Sequence, residues 1–92
     1  MIVRILGHGQ YRVPDNAADE LNAIDDRLEQ AVRTQDAEAF AAELAALVAA
    51  VRSHGRAVAD DELLASDAVV PDPDTSLEEA LHLLSDEGLI PD

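Results

Sequence analysis

The side chains that could do chemistry in this chain are three histidines, four serines and a large excess of carboxylates. His8, His54 and His82 fall in a turn, at a helix end and on a helix face. No pair has the i, i+4 spacing with which one helix presents two imidazoles to a metal ion. Ser53, Ser66, Ser76 and Ser85 lack a Gly-x-Ser-x-Gly context, and Ser76 is better explained as a helix cap. Gly7-His8-Gly9-Gln10 joins two strands, whereas a phosphate-binding loop needs a strand-to-helix turn with further glycines. Asp60-Asp61-Glu62, Asp67, Asp72 and Asp74 could gather around Ca²⁺. Counted from Asp72, however, the glycine position of an EF-hand loop is Leu77 and the glutamate position is Leu83, so the loop motif is absent. With no cysteine, thiolate ligands, disulfides and thiol nucleophiles are excluded. The expectation is therefore no catalytic residue, no cofactor and no metal. A small acidic metal-binding protein stands as an alternative.

Charge narrows the partners. Twenty Asp and Glu oppose six arginines, with no lysine, for a formal net charge of −14. Nucleic acid and anionic membrane surfaces are disfavoured, because both are held by Lys and Arg. Basic proteins remain allowed. No apolar run approaches the roughly 20 residues of a membrane span, and Met1-Ile2-Val3-Arg4-Ile5-Leu6 lacks the pattern of a secretory signal. The expected location is the cytoplasm, without direct membrane insertion.

The elements that must carry these residues read as one α+β domain over residues 1–92. An N-terminal β-hairpin (2–13) packs on an antiparallel αα-hairpin (15–34 and 36–54), followed by an irregular segment with short strands and a C-terminal helix (76–87). Val3, Ile5, Tyr11 and Val13 can share one face of the hairpin. A three-residue loop Gly7-His8-Gly9 would pair Ile5 with Tyr11 and Val3 with Val13. That register opposes Arg4 and Arg12, so carboxylates from elsewhere are expected nearby. Asp15 or Asn16 is a candidate cap for the first helix, with Asp19 and Glu20 near its first turn. Ala17, Leu21, Ile24, Leu28 and Ala31 form its apolar stripe. Asp36 is a cap for the second helix, in which Ala37, Phe40, Leu44, Leu47 and Val51 repeat the pattern and Gly55 marks the end. Arg56-Ala57-Val58 and Ala68-Val69-Val70 are candidate short strands. Ser76-Leu77-Glu78-Glu79 is a capping-box pattern opening the last helix, which Gly88 and Leu89 would close, with Leu89-Ile90 tucked back onto the domain.

Two helical surfaces are candidates for binding a partner. Asp19, Glu20, Asp25, Asp26 and Glu29 lie off the apolar stripe of the first helix and could form a docking ridge for an Arg/Lys-rich helix. In the second helix only Glu43 is charged between Ala39 and Val51. Such a helix is either central or has a second partner surface. Ala42, Ala45, Ala46 and Ala49 would let another helix approach closely, as in a homodimer.

Several segments together resemble the phage-shock-protein-A-associated (PspAA) family. They are the opening Met-Ile-Val-Arg-Ile-Leu-Gly-His-Gly-Gln-Tyr-Arg-Val-Pro, the helix segment Leu21-Asn22-Ala23-Ile24-Asp25-Asp26, Ser66-Asp67-Ala68-Val69-Val70-Pro71 followed by Leu77-Glu78-Glu79, and the ending Glu87-Gly88-Leu89-Ile90-Pro91. The resemblance spans essentially the whole chain, and its two ends are its most specific parts. The chain departs from the family pattern with His8 in place of an acid at the hairpin turn, and with Gln35 in place of glycine between the helices. The resemblance implies a non-catalytic α+β adaptor or regulator of a PspA-like coiled-coil protein in the bacterial envelope-stress response. It would be recruited through that partner to the inner face of the membrane. The family supplies no catalytic residues to carry over.

Overall fold

The structure, a computed structural model, describes residues 1–59, 61, 62 and 64–86, the side chains of 82–86 excepted. Strands β1 (Ile2–Ile5) and β2 (Gly9–Arg12) form an antiparallel hairpin. A single 3-10 turn over Asp15–Ala17 leads into α1 (Ala18–Arg33), and α2 (Ala37–His54) returns beside it. Strands β3 (Arg56–Ala57) and β4 (Ala68–Val70) follow, then α3 (Leu77–Asp86). The four strands make one sheet in the order β3-β2-β1-β4, with β3 antiparallel to β2 and β4 parallel to β1. The architecture is α+β.

The hairpin register differs from the one expected. Val3 lies opposite Tyr11, Arg4 opposite Gln10 and Ile5 opposite Gly9. The cause is the turn. The amide of His8 donates to the Ile5 carbonyl at 2.9 Å, and Gly7 adopts φ 82°, the positive value that a type II turn requires at its third residue. The connection is therefore Leu6-Gly7-His8, and Gly9, at φ 92°, enters the ladder. The slip is even-numbered, so Val3, Ile5 and Tyr11 still share a face. It does separate Arg4 from Arg12. Arg12 instead lies opposite Arg56 of β3 and is matched by Glu62, with Nη2 2.6 Å from Oε2.

The start of α1 also differs. Neither Asp15 nor Asn16 caps it with a side chain. Pro14, extended at φ −66° and ψ 147°, opens the 3-10 turn, and the Ala17 amide closes it on the Pro14 carbonyl at 3.0 Å. The turn consumes the residues that would otherwise cap. Asp19 and Glu20 do lie in the first turn of α1, where acids complement the helix dipole.

Between the helices, Asp36 Oδ1 accepts from the Ala39 amide at 3.0 Å, as a capping residue should. Just before it, Gln35 adopts φ 54°. The Gln35 amide donates to Val32 O (3.1 Å) and the Asp36 amide to Ala31 O (2.9 Å). This is the paired hydrogen bonding of a Schellman ending, here built without glycine. At the other end of α2, the Gly55 amide donates to Val51 O at 2.8 Å in an extended conformation. Gly55 is needed there for room: a Cβ would sit 2.6 Å from Val51 O and 3.1 Å from Arg12 O. The Ser76–Glu79 capping box of α3 forms in both directions, the Glu79 amide to Ser76 Oγ at 3.1 Å and the Ser76 amide to Glu79 Oε1 at 3.3 Å. The ending expected at Gly88 and Leu89, and the tuck of Leu89-Ile90, lie outside the described residues.

One hydrophobic cluster joins these pieces. Val3, Ile5, Val13 and Val70 come from the sheet side, and Ala17, Leu21, Ile24, Leu28 and Ala31 from the first helix and its approach. Phe40, Leu44, Leu47, Val48 and Val51 come from α2, and Ala80 from α3. Ile5, Leu44 and Val51 are fully buried, and full burial of an aliphatic side chain this large stabilises by roughly 1.5–3 kcal/mol. Ala37, expected in the stripe of α2, is exposed at the first helical residue, and Val48 joins the core instead.

Candidate partner-binding surfaces

The helical pitch turns each residue 100° from the last, which distributes the five acids of α1 over three strips. Glu20 faces α2, where its carboxylate meets His54 Nε2 in a short contact across the helix pair. One step along the same seam, Arg27 Nε donates to Glu43 Oε2 at 3.0 Å. Asp19 and Asp26, seven residues apart, point outward and are exposed. Asp25 and Glu29 lie on the opposite flank and are half-buried. Glu29 forms an ion pair with Arg33 at 3.7 Å. Asp25 Oδ1 is buried with no hydrogen-bond partner among the described residues. Burial raises its carboxyl above the ordinary value, and the neighbouring charges of Glu29 and Asp26 push the same way. The five acids thus do not form one continuous ridge. Asp19 and Asp26 form its open part, Glu20 belongs to the α1–α2 seam, and Asp25 is partly withdrawn.

On α2 the buried side holds Phe40, Leu44, Leu47 and Val51, and the opposite side holds Ala42, Ala45 and Ala49, all exposed. Ala46 is half-buried against the core. The helix is therefore not central: its alanine face is open.

The rest of the polar surface went unpredicted. Gln10, the one buried polar residue among those described, lies on the sheet face turned away from the core. Leu64 and Ser66, from the segment before β4, meet it. Gln10 Nε2 donates to Leu64 O (2.7 Å) and Ser66 Oγ (2.8 Å), and the Ile2 amide donates to Asp67 Oδ2 (2.7 Å). At the hairpin turn, Arg52 Nη2 lies 3.0 Å from His8 Nδ1, and His8 Nε2 lies 3.6 Å from Asp72 Oδ2. A guanidinium can only donate, so His8 Nδ1 is the acceptor. Each of these contacts joins residues 44 to 65 positions apart, and sequence spacing carries no signal for them. Gln10 was the one place with a hint: a polar residue inside a strand has to find partners if it is covered.

Among the described residues no group of three or more His, Asp or Glu side chains is placed to hold a metal ion. No described helix is long and apolar enough to cross a membrane.

A family model described as PspA-Associated protein (PspAA) matches residues 1–92. The chain belongs to the PspAA family. The match covers every element described above, from the hairpin to the last helix. The family is described by its association with PspA. Neither the curated proteins nor the solved structures yield a match.

Proposed function

We propose that this PspAA protein is a non-catalytic adaptor that binds a PspA-like coiled-coil partner in the bacterial envelope, or phage-shock, stress response. The observation that carries the reading is the family match over the whole chain. In this reading the protein works in the cytoplasm and reaches the inner face of the membrane through its partner. Asp19 and Asp26, the outward part of the α1 acids, dock a basic strip of the coiled coil, with Glu29 and Asp25 at the margin. Rim charges of this kind steer association and make it sensitive to salt.

Binding of the purified PspA-type protein encoded in the same genome tests this. The expected result is an affinity that falls as salt rises and falls further, by about fivefold or more, when Asp19 and Asp26 are both changed to lysine. Unchanged binding by that variant would refute the ridge, and no binding of the partner at any salt would refute the adaptor reading.

The open alanine face of α2 favours a second reading, a homodimer built on Ala42, Ala45 and Ala49 with Ala46 at its edge. Light scattering at high protein concentration decides it, since a monomer there removes the dimer.

A further inference from the structure

We infer that the outer face of the sheet is a separate docking surface, which takes a carboxylate-bearing, partly apolar segment of a protein partner. The argument begins with charge segregation. The chain has twenty acids, yet none among residues 1–14. Val3 and Ile5 are buried in the core, so strand alternation turns Arg4 to the opposite face. Gln10 is paired with Arg4, Arg12 follows two residues on, and Arg56 is paired with Arg12. Residues directly opposite one another share a face. Three of the six arginines of a chain with net charge −14 therefore stand together on one side of the sheet.

The protein's own chain shows what that face binds. On one half of it Leu64 and Ser66 meet Gln10, and the Glu62 carboxylate lies 2.6 Å from Arg12. Among the described residues the other half, along β1 and β4, is open, as the exposure of Arg4 there shows. There Arg4 is exposed between Ile2 and Leu6, and Val69 of β4 is paired beside it. Leu6, 39% exposed, is the one large hydrophobic residue that is exposed among those described. Among the described residues Arg4 and Arg56 have no ion-pair partner, in contrast to Arg12. An arginine set between apolar side chains fits an incoming carboxylate flanked by apolar residues, the pattern of an acidic amphipathic helix or strand. A phosphate-dense partner fits less well, because the continuous charge of nucleic acid or an anionic bilayer extends beyond this patch onto the acidic remainder of the −14 chain, whereas a short segment with a few carboxylates stays within it.

This inference does not depend on the α1 ridge, and its test separates the two. The intact chain is titrated with a synthetic amphipathic peptide carrying glutamates on one face and leucines on the other, followed by amide NMR. The expected result is perturbation centred on Ile2–Ile5, Leu6 and Ala68–Val70. Arg4→Glu should weaken binding at least about fivefold, while Arg4→Lys retains more of the affinity and Asp19→Lys leaves it unchanged. The amide spectrum of each variant reports that it is folded. Absence of binding at millimolar peptide would overturn the inference. So would perturbations confined to α1 or α2, or tighter binding at this face of phosphatidylglycerol vesicles or a single-stranded oligonucleotide.

Discussion

Gln35 holds a conformation that its side chain opposes, and replacing it by glycine gives a measurable quantity. At φ 54° the backbone is left-handed so that α1 can close its Schellman ending and α2 can start at Asp36 one residue later. For an L-residue that region costs about 1–2 kcal/mol, because Cβ crowds a backbone carbonyl oxygen. Glycine escapes the crowding but loses roughly 0.5–1 kcal/mol more chain entropy on folding. Gln35 is exposed and its side chain makes no hydrogen bond among the described residues, so little else is given up. The difference predicts that Gln35→Gly stabilises the protein by about 0.5–1 kcal/mol. For a chain of this size a kcal/mol moves the melting temperature by about 4–8 °C, which puts the rise at about 2–8 °C. Thermal unfolding followed by circular dichroism, with a urea titration for the free energy, measures it. Gln35→Ala keeps the strained geometry and serves as the control, with no comparable gain. A melting temperature that falls or stays level in Gln35→Gly, with the helix content unchanged, would show that the left-handed strain is not stored where the backbone angle places it.

Asp25 makes stability depend on pH. Its carboxyl is raised in the folded state, so between the unfolded and folded values the folded chain binds more protons than the unfolded one. The stability it contributes is complete below the unfolded value and is lost as pH rises through the folded one. Asp25→Asn should therefore stabilise the protein at neutral pH and make no difference in strong acid; an equal effect at both ends of a pH series of urea titrations would contradict this. Gly55→Ala places a methyl group 2.6 Å from Val51 O and 3.1 Å from both Arg12 O and Val13 Cγ2. Overpacking of this kind costs about 1–3 kcal/mol, so the urea midpoint should drop, and a variant as stable as the parent would show that the junction of α2 with the sheet can yield.

The helices were legible because their signals are local. The stripe Leu21, Ile24, Leu28 and Ala31, the Asp36 cap and the Ser76–Glu79 box each lie within about three turns of chain, where the backbone geometry alone brings the residues together. The strand segments at Arg56 and Ala68 were also visible from their composition, and prolines follow the second. At the hairpin, local reasoning selected the correct face for Val3, Ile5 and Tyr11 and the wrong turn. Two glycines flank His8, and either could take the positive-φ place in a turn.

The sequence by itself determined that this is an acidic α+β chain with an αα-hairpin, because periodicity and capping act between residues a few positions apart. Only the tertiary structure decided the strand order β3-β2-β1-β4 and the placing of Leu64 and Ser66 against Gln10. It also decided which acids stay free, turning Glu20 into a partner of His54 while leaving Asp19 and Asp26 open. The same is true of Arg56 on the outer sheet face. Arg4 and Arg12 share that face through the local hairpin, whereas Arg56 joins them only when β3 pairs with β2.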